Sequence, residues 1–146
     1  MISCDTNILV YALNSSAPEH SRASRFIAKH LVNREFVLSE FVLFELYVLL
    51  RNPKVFMRPL IAHEAVEQII ELKSNPYWTI VKGTNDVSDF VWTVAALDAF
   101  PRRAIFDARL AFSLWQEGVT LFATRNVSDF TRFEVFEVFD PISEPD

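Results

Sequence analysis

The sequence predicts an α/β fold, about five short, mostly parallel strands flanked by helices on both faces. Two observations predict it. Short apolar runs at residues 2–4, 36–38, 78–81, 119–123 and 135–139 recur along the chain, and segments with apolar residues at helical spacing separate them. Strands that alternate with helices in this way form a parallel sheet, because each crossover lays a helix against one face.

Residues 2–4 form the first strand and run into Asp5, after which Ile8, Leu9 and Leu13 recur at helical spacing, so a strand meets a helix at Asp5. Residues 18–33 open on Pro18 and Glu19 and align Ala23, Phe26, Ile27, His30 and Leu31 on one amphipathic stripe. After the strand at 36–38, Ser39 caps a helix over 40–50, whose stripe is Leu43, Leu46, Tyr47 and Leu50 and which ends near Asn52-Pro53. Another helix covers 62–74, between Pro59 and Asn75-Pro76. The strand at 78–81 closes at Lys82-Gly83, and Asp86 or Ser88 caps a helix carrying Phe90, Val91, Val94, Ala95 and Leu97. A helix over 104–117 stops at Gly118. Residues 119–123 are the fourth strand, 126–130 a loop or single turn, and 135–139 the last strand.

A chain of 146 residues fits a single domain over 1–146. Hydrophobic residues make up 51% of it, 14 of them Phe, which supplies a core and excludes intrinsic disorder. The most apolar stretch, 36–50, is broken by Ser39, Glu40 and Glu45, so no membrane span is expected. Asp5 stands where a secretory signal would carry Lys or Arg, and Cys4 is the sole cysteine, which points to the reducing cytoplasm. The net charge of −5 disfavours broad adhesion to nucleic acid, so any phosphate contact is local or metal-mediated. Two glycines cannot build a phosphate loop or a dinucleotide fingerprint. His20, His30 and His63 lack zinc-site spacing and are read as surface or core-edge residues, and Cys4 as a small buried hydrophobe. The aromatic residues fall mostly on apolar stripes, which assigns them to the core or a dimer interface rather than to base stacking.

Open parallel sheets bind ligands beyond the carboxyl ends of their strands. Those positions hold Asp5 after the first strand, Glu45 in the helix after the second, and Thr124, Arg125, Asn126 and Asp129 after the fourth; Asp107 lies in the apolar run 104–112. Carboxylates gathered in one cleft raise one another's pKa unless a cation neutralises them. Mg²⁺ or Mn²⁺, hard ions that accept carboxylate and water oxygens, suit such a set and imply phosphoryl transfer. Each acid also has an ordinary reading: Asp5 as a helix cap, Asp107 as an ion-pair partner of Arg103 or Arg109, and Asp129 as a cap of the 126–130 turn. Glu40 and Glu45 lie about 140° apart around a helix and cannot share a face. Glu45, between Phe44 and Leu46, is the ligand candidate, whereas Glu40 sits in the first turn, where the helix dipole favours an acid. Asp86, Asp89 and Asp98 are cap and surface acids. Arg102, Arg103, Arg109 and Arg125 are candidates for phosphate contacts, or else for ion pairs with Glu117 or the site acids.

Four segments, in order and spacing, carry a resemblance: Ile2-Ser3-Cys4-Asp5-Thr6-Asn7-Ile8-Leu9-Val10-Tyr11-Ala12, the stretch from Val37-Leu38-Ser39 to Glu45-Leu46, Ile105-Phe106-Asp107-Ala108-Arg109-Leu110-Ala111, and Leu121-Phe122-Ala123-Thr124-Arg125-Asn126-Val127-Ser128-Asp129-Phe130. Together they resemble the PIN-domain family, and within it the VapC-type toxins of bacterial toxin–antitoxin pairs. The resemblance implies a three-layer PIN-like sandwich and a metal-dependent endoribonuclease that uses Mg²⁺ or Mn²⁺ and leaves 3′-hydroxyl and 5′-phosphate ends. It also implies a homodimer and a cognate antitoxin that covers the active-site groove. Carried over, Asp5, Glu45 and Asp107 match three family acids, with Asp5 and Asp107 as metal ligands. The family often has Asp directly after Thr-Arg, where this chain has Asn126, so the fourth position falls to Asp129 or to the Asn126 carbonyl. Thr6, Asn7, Thr124 and Asn126 fit residues that orient carboxylates or bound water; beside the resemblance, Arg109 and Arg125 are weak candidates for RNA phosphate contacts. Two rival readings keep part of this picture: a degenerate PIN domain that binds RNA or antitoxin without cutting, and a receiver-type acidic domain, which would need a Lys after a late strand.

Overall fold

The computed structural model of the chain describes residues 1–143. The elements follow in the order β1 (Ile2–Cys4), α1 (Thr6–Leu13), α2 (His20–His30), β2 (Phe36–Ser39), α3 (Glu40–Leu50), α4 (Ala62–Lys73), β3 (Thr79–Val81), α5 (Asn85–Ala95), α6 (Ala104–Gln116), β4 (Leu121–Ala123), α7 (Val127–Thr131) and β5 (Glu137–Phe139). The five strands form one sheet in the order β3-β2-β1-β4-β5, and the four neighbour pairings are all parallel. The chain therefore starts in the middle of the sheet, builds one side through β2 and β3, then crosses back to lay β4 on the other flank of β1. β1 and β4 flank the point where the winding reverses, the place where such sheets leave a crevice beyond their strand ends.

Residues Phe36, Val37, Leu38 and Ser39 are all buried, as a strand covered on both faces requires. Ile8, Leu9, Leu43, Leu46, Leu114 and Phe122 fill the core on either side of the sheet. A smaller cluster of Val87, Val91, Ala108 and Phe112 locks α5 to α6. Cys4 is fully buried, and burial with the neighbouring Asp5 charge pushes its thiol far up, so it is inert. Among the described residues no helix is long and apolar enough to cross a membrane.

Asp5 and Ser39 cap α1 and α3 as expected, accepting from the backbone N–H of Thr6 and of Phe41. The cap of α5 is Thr84, not Asp86 or Ser88. Gly83, at φ +81°, turns the chain so that Thr84 enters in the extended conformation a cap needs, and its Oγ1 accepts from Val87 N at 3.4 Å. Asp86 falls in the first turn instead. Leu97 lies beyond the end of that helix and is exposed. Gly118, at φ +95°, follows the C-cap Glu117 of α6. Three strands are shorter than the apolar runs that predict them. Val119, Thr120 and Trp78 give their backbone N–H groups to Leu114 O, Met1 O and Asn75 O rather than to a ladder, and the Trp78 indole N–H donates to His30 O at 2.8 Å. His30 itself is buried, stacked on Phe36 and tilted against Phe26, and that burial lowers its pKa.

Candidate active site

Beyond the carboxyl ends of β1 and β4 the backbone hands over to a hydrogen-bonded ring of side chains. Asp5 N donates to Ala123 O at 2.9 Å, which ties the two strand ends together. Asp5 Oδ1 accepts from Thr6 N at 2.8 Å. Asp5 Oδ2 accepts from Thr124 Oγ1 at 2.8 Å and from Asn7 Nδ2 at 3.1 Å. Thr124 Oγ1 accepts in turn from Asn126 N at 3.0 Å, and Asn7 Oδ1 from Arg125 N at 3.3 Å. Asp5 is therefore both a helix cap and a fixed, buried carboxylate. Thr6 serves it through the backbone; the Thr6 hydroxyl is buried with no hydrogen-bond partner among the described residues.

A cleft of about 300 Å³ opens above this ring, lined by Asp5, Glu45, Asp107, Asn126 and Asp129, with Phe41, Phe106, Arg109 and Leu110 around them. Four elements deliver the acids: the β1 end, α3, α6 and α7. A larger cavity of about 530 Å³, bordered by Met1, Arg22, Phe26, Lys29 and Leu121, holds none of these acids; it lies toward the opposite ends of the strands and away from the reversal point. The helical period separates the two α3 acids: Glu45 faces the cleft, while Glu40 pairs with Lys73 at 2.8 Å. Asp107 makes no ion pair with Arg103 or Arg109 among the described residues. Arg109 instead lies over the ring of Phe41 at 3.6 Å. Arg125 is held by Asp140 at 3.1 Å and by Ser143, and Asp129 meets Arg132 at 3.6 Å. Sequence reading passed over Phe41, Phe106, Leu110 and Arg132 as site residues; only the i,i+3 spacing of Arg132 from Asp129 could have signalled one of them.

Burial pushes the Asp5 carboxyl up to about 6 against the pull of its Thr124 and Thr6 hydrogen bonds, and the Glu45 and Asp107 charges add to the rise. Asp107 is raised as well, first by desolvation, then by Asp129 and Glu45, with Arg132 opposing. The site thus stores repulsion between like charges. Because the folded-state pKa of Asp5 exceeds its ordinary value of 3.8, its proton favours the fold; that contribution is full below about pH 4 and is lost as pH rises through about 6. The cost of ionising Asp5 in the folded state is roughly 3 kcal/mol. In EDTA the parent should therefore melt lower at about pH 8 than at about pH 5, and Asp5→Asn should flatten that slope. An unchanged slope in thermal melts of the variant would place its origin elsewhere. The donor set is all oxygen, carboxylates with one amide carbonyl, which suits a hard divalent cation. In the side-chain positions seen, no three Asp, Glu, His or Cys side chains among the described residues stand close enough to grip one ion together, and Glu45 is the exposed member of the set.

Residues 2–135 match the PIN domain family. The chain belongs to the PIN-domain family. This PIN domain is 44% identical over 143 residues to Ribonuclease VapC24 of Mycobacterium tuberculosis, a match that covers 98% of each chain. Its fold is similar to that of the Mycobacterium tuberculosis toxin VapC20, described as cleaving the sarcin-ricin loop, with a TM-score of 0.69 and 19% identity over 91% of this chain and 95% of that one. It is also similar to a chain of a toxin-antitoxin complex from Klebsiella pneumoniae, with a TM-score of 0.63 and 18% identity over 97% and 98% of the two chains.

Proposed function

We propose that this PIN domain is an endoribonuclease toxin of a toxin–antitoxin pair, one that hydrolyses RNA phosphodiester bonds with Mg²⁺ or Mn²⁺. One observation carries the reading: acids from four separate elements border a single cleft at the reversal point of the sheet. The whole-length likeness to Ribonuclease VapC24 supports it.

Asp5 and Asp107 would hold the cation, with Glu45 and Asp129 completing the acidic ring and Asn126 offering a neutral carbonyl. When bound, such an ion polarises a phosphoryl oxygen and lowers the pKa of water. Asn7 and Thr124 fix the Asp5 carboxylate by two donors on Oδ2, and Thr6 N–H fixes the other oxygen, so Asp5 does not rotate when substrate arrives. Glu45 and Asp129, less buried than Asp5, are the groups able to take the proton of the attacking water. Arg109, which borders the cleft, offers a cation to a flanking phosphate, and Arg125, paired with Asp140, would make a weaker contact. The products carry 3′-hydroxyl and 5′-phosphate ends. An antitoxin whose tail carries Arg or Lys would cover the acidic groove; the similar chain from Klebsiella pneumoniae comes from a toxin-antitoxin complex. The cytoplasm and a homodimer complete the proposal.

RNA cleavage with end mapping, run with Mn²⁺, with EDTA and with added antitoxin, tests this reading. Cleavage should require the divalent ion and stop on antitoxin binding; cleavage that persists in EDTA would sink the metal assignment. Thr124→Val removes one of the two donors to Asp5 Oδ2 at little cost in volume. It should weaken metal affinity or activity about 10- to 100-fold, checked by Mn²⁺ titration of the cleavage rate. A rate curve that superposes on the parent's would show that Asp5 does not need Thr124.

A further inference from the structure

Phe106 and Trp92 are the two most exposed aromatic rings among the described residues, at 77% and 67%. Both border one cavity of about 300 Å³, together with Ser88, Val91, Ile105 and Arg109. That volume is at the small end of pockets that take small molecules. The packing of Val87 and Val91 against Ala108 and Phe112 joins α5 to α6 and leaves Trp92 and Phe106 outside that cluster. Two side chains, Phe106 and Arg109, line both this slot and the acidic cleft, so the two cavities adjoin. Exposed apolar side chains gathered around one cavity mark a binding surface in a way that scattered ones do not.

We propose that the slot bordered by Trp92 and Phe106 is a nucleobase subsite, which holds the unstacked base of a nucleotide adjoining the phosphate cut in the acidic cleft, with Arg109 on the neighbouring phosphate. The proposal rests on the ribonuclease reading above and adds a specificity element to it. Single-stranded RNA is recognised largely by splaying bases onto aromatic faces and Arg planes, and this slot offers two rings and a guanidinium at the mouth of the cleft. A second protein copy is the weaker occupant, because it would bury Arg109, which has no carboxylate partner among the described residues; a nucleic acid supplies the phosphate that Arg109 lacks. Phe106 directly precedes Asp107 on α6, so a base held there keeps its sugar–phosphate within reach of the acids.

The test uses an oligonucleotide spanning a mapped cut and two copies of it, each with an abasic ribose on one side of the cut. At one of those sides, loss of the base should lower kcat/KM of the parent about tenfold or more, chiefly through KM. Trp92→Leu and Phe106→Leu, both at exposed positions, should show that loss already on intact RNA and lose little more with the abasic substrate, while melting like the parent. Variants that cut intact RNA as well as the parent does, or that lose as much as the parent from the abasic change, would overturn the subsite. So would variants that run as a smaller species in gel filtration and lose both substrates equally, since the face would then join protein copies. A parent that cuts no RNA with Mn²⁺ would sink the nuclease reading and the subsite together; cleavage blind to the flanking base sinks the subsite alone.

Discussion

Asp107→Asn should lower Mn²⁺-dependent RNA cleavage at least about a thousandfold, since a lost metal ligand forfeits several kcal/mol of charge stabilisation and each 1.36 kcal/mol is a factor of ten. The side chain is half-buried near the start of α6, whose buried face is made by Ala108, Leu110, Ala111 and Phe112, so the isosteric change leaves packing intact. The fold should not suffer. The Asp107 carboxyl is raised by desolvation and by Asp129 and Glu45, so its charge is a burden when no cation offsets it, and the variant should melt no lower than the parent at neutral pH without divalent ions. Asp5→Asn should be equally inactive. Its Asn amide would confront the Asn7 Nδ2 donor, so it recovers less of the stability released by removing the charge. Single-turnover cleavage beside a melting curve separates the two effects. Activity of Asp107→Asn within about tenfold of the parent would remove it from the site.

Phe122→Ala should destabilise the fold by about 3–5 kcal/mol, the usual cost of emptying an aromatic site in a core. Phe122 is fully buried on β4, between β1 and β5 in the sheet, with ring centroids 4.7 Å from Phe130 and 5.1 Å from Phe136. Total stability of ordinary domains is about 5–15 kcal/mol, so the change removes a large share. Phe130 belongs to α7, one residue from Asp129, and Phe122 is the surface it rests on. The folded fraction of the variant should therefore also cut RNA more slowly, because Asp129 loses its seat. Urea unfolding gives the first number; a loss below about 1 kcal/mol would show that the aromatic cluster collapses without cost.

Much of this molecule is legible without coordinates. Asp5 follows a strand and opens a helix, Ser39 precedes another, and Glu45 and Glu40 are split by the helical period; each depends on neighbours within about one turn, where capping and periodicity act. The errors are equally local. Thr84 displaced Asp86 and Ser88 as a cap because the left-handed turn at Gly83 set the entry of the chain. The apolar runs overshot β3 and β4 because the backbone N–H groups of Trp78, Val119 and Thr120 found partners outside the ladder; nothing in the structure explains the overshoot at β5.

Element order, the caps at Asp5 and Ser39 and the positions of the acids relative to strand ends and helix turns were thus determined by the sequence itself. Only the tertiary structure decided which acids meet: Thr124 reaches Asp5 across 119 residues of chain, and Asp129 faces Asp107 because β4 lies beside β1 rather than beside β3. It also decided that Arg109 covers Phe41 and that Phe106 and Trp92 border one slot. The physical reason is the range of the forces that leave a trace in sequence. Hydrogen bonding and side-chain crowding within a turn mark neighbouring residues, whereas the order of strands is settled by burying whole helix faces at once, which no short window records.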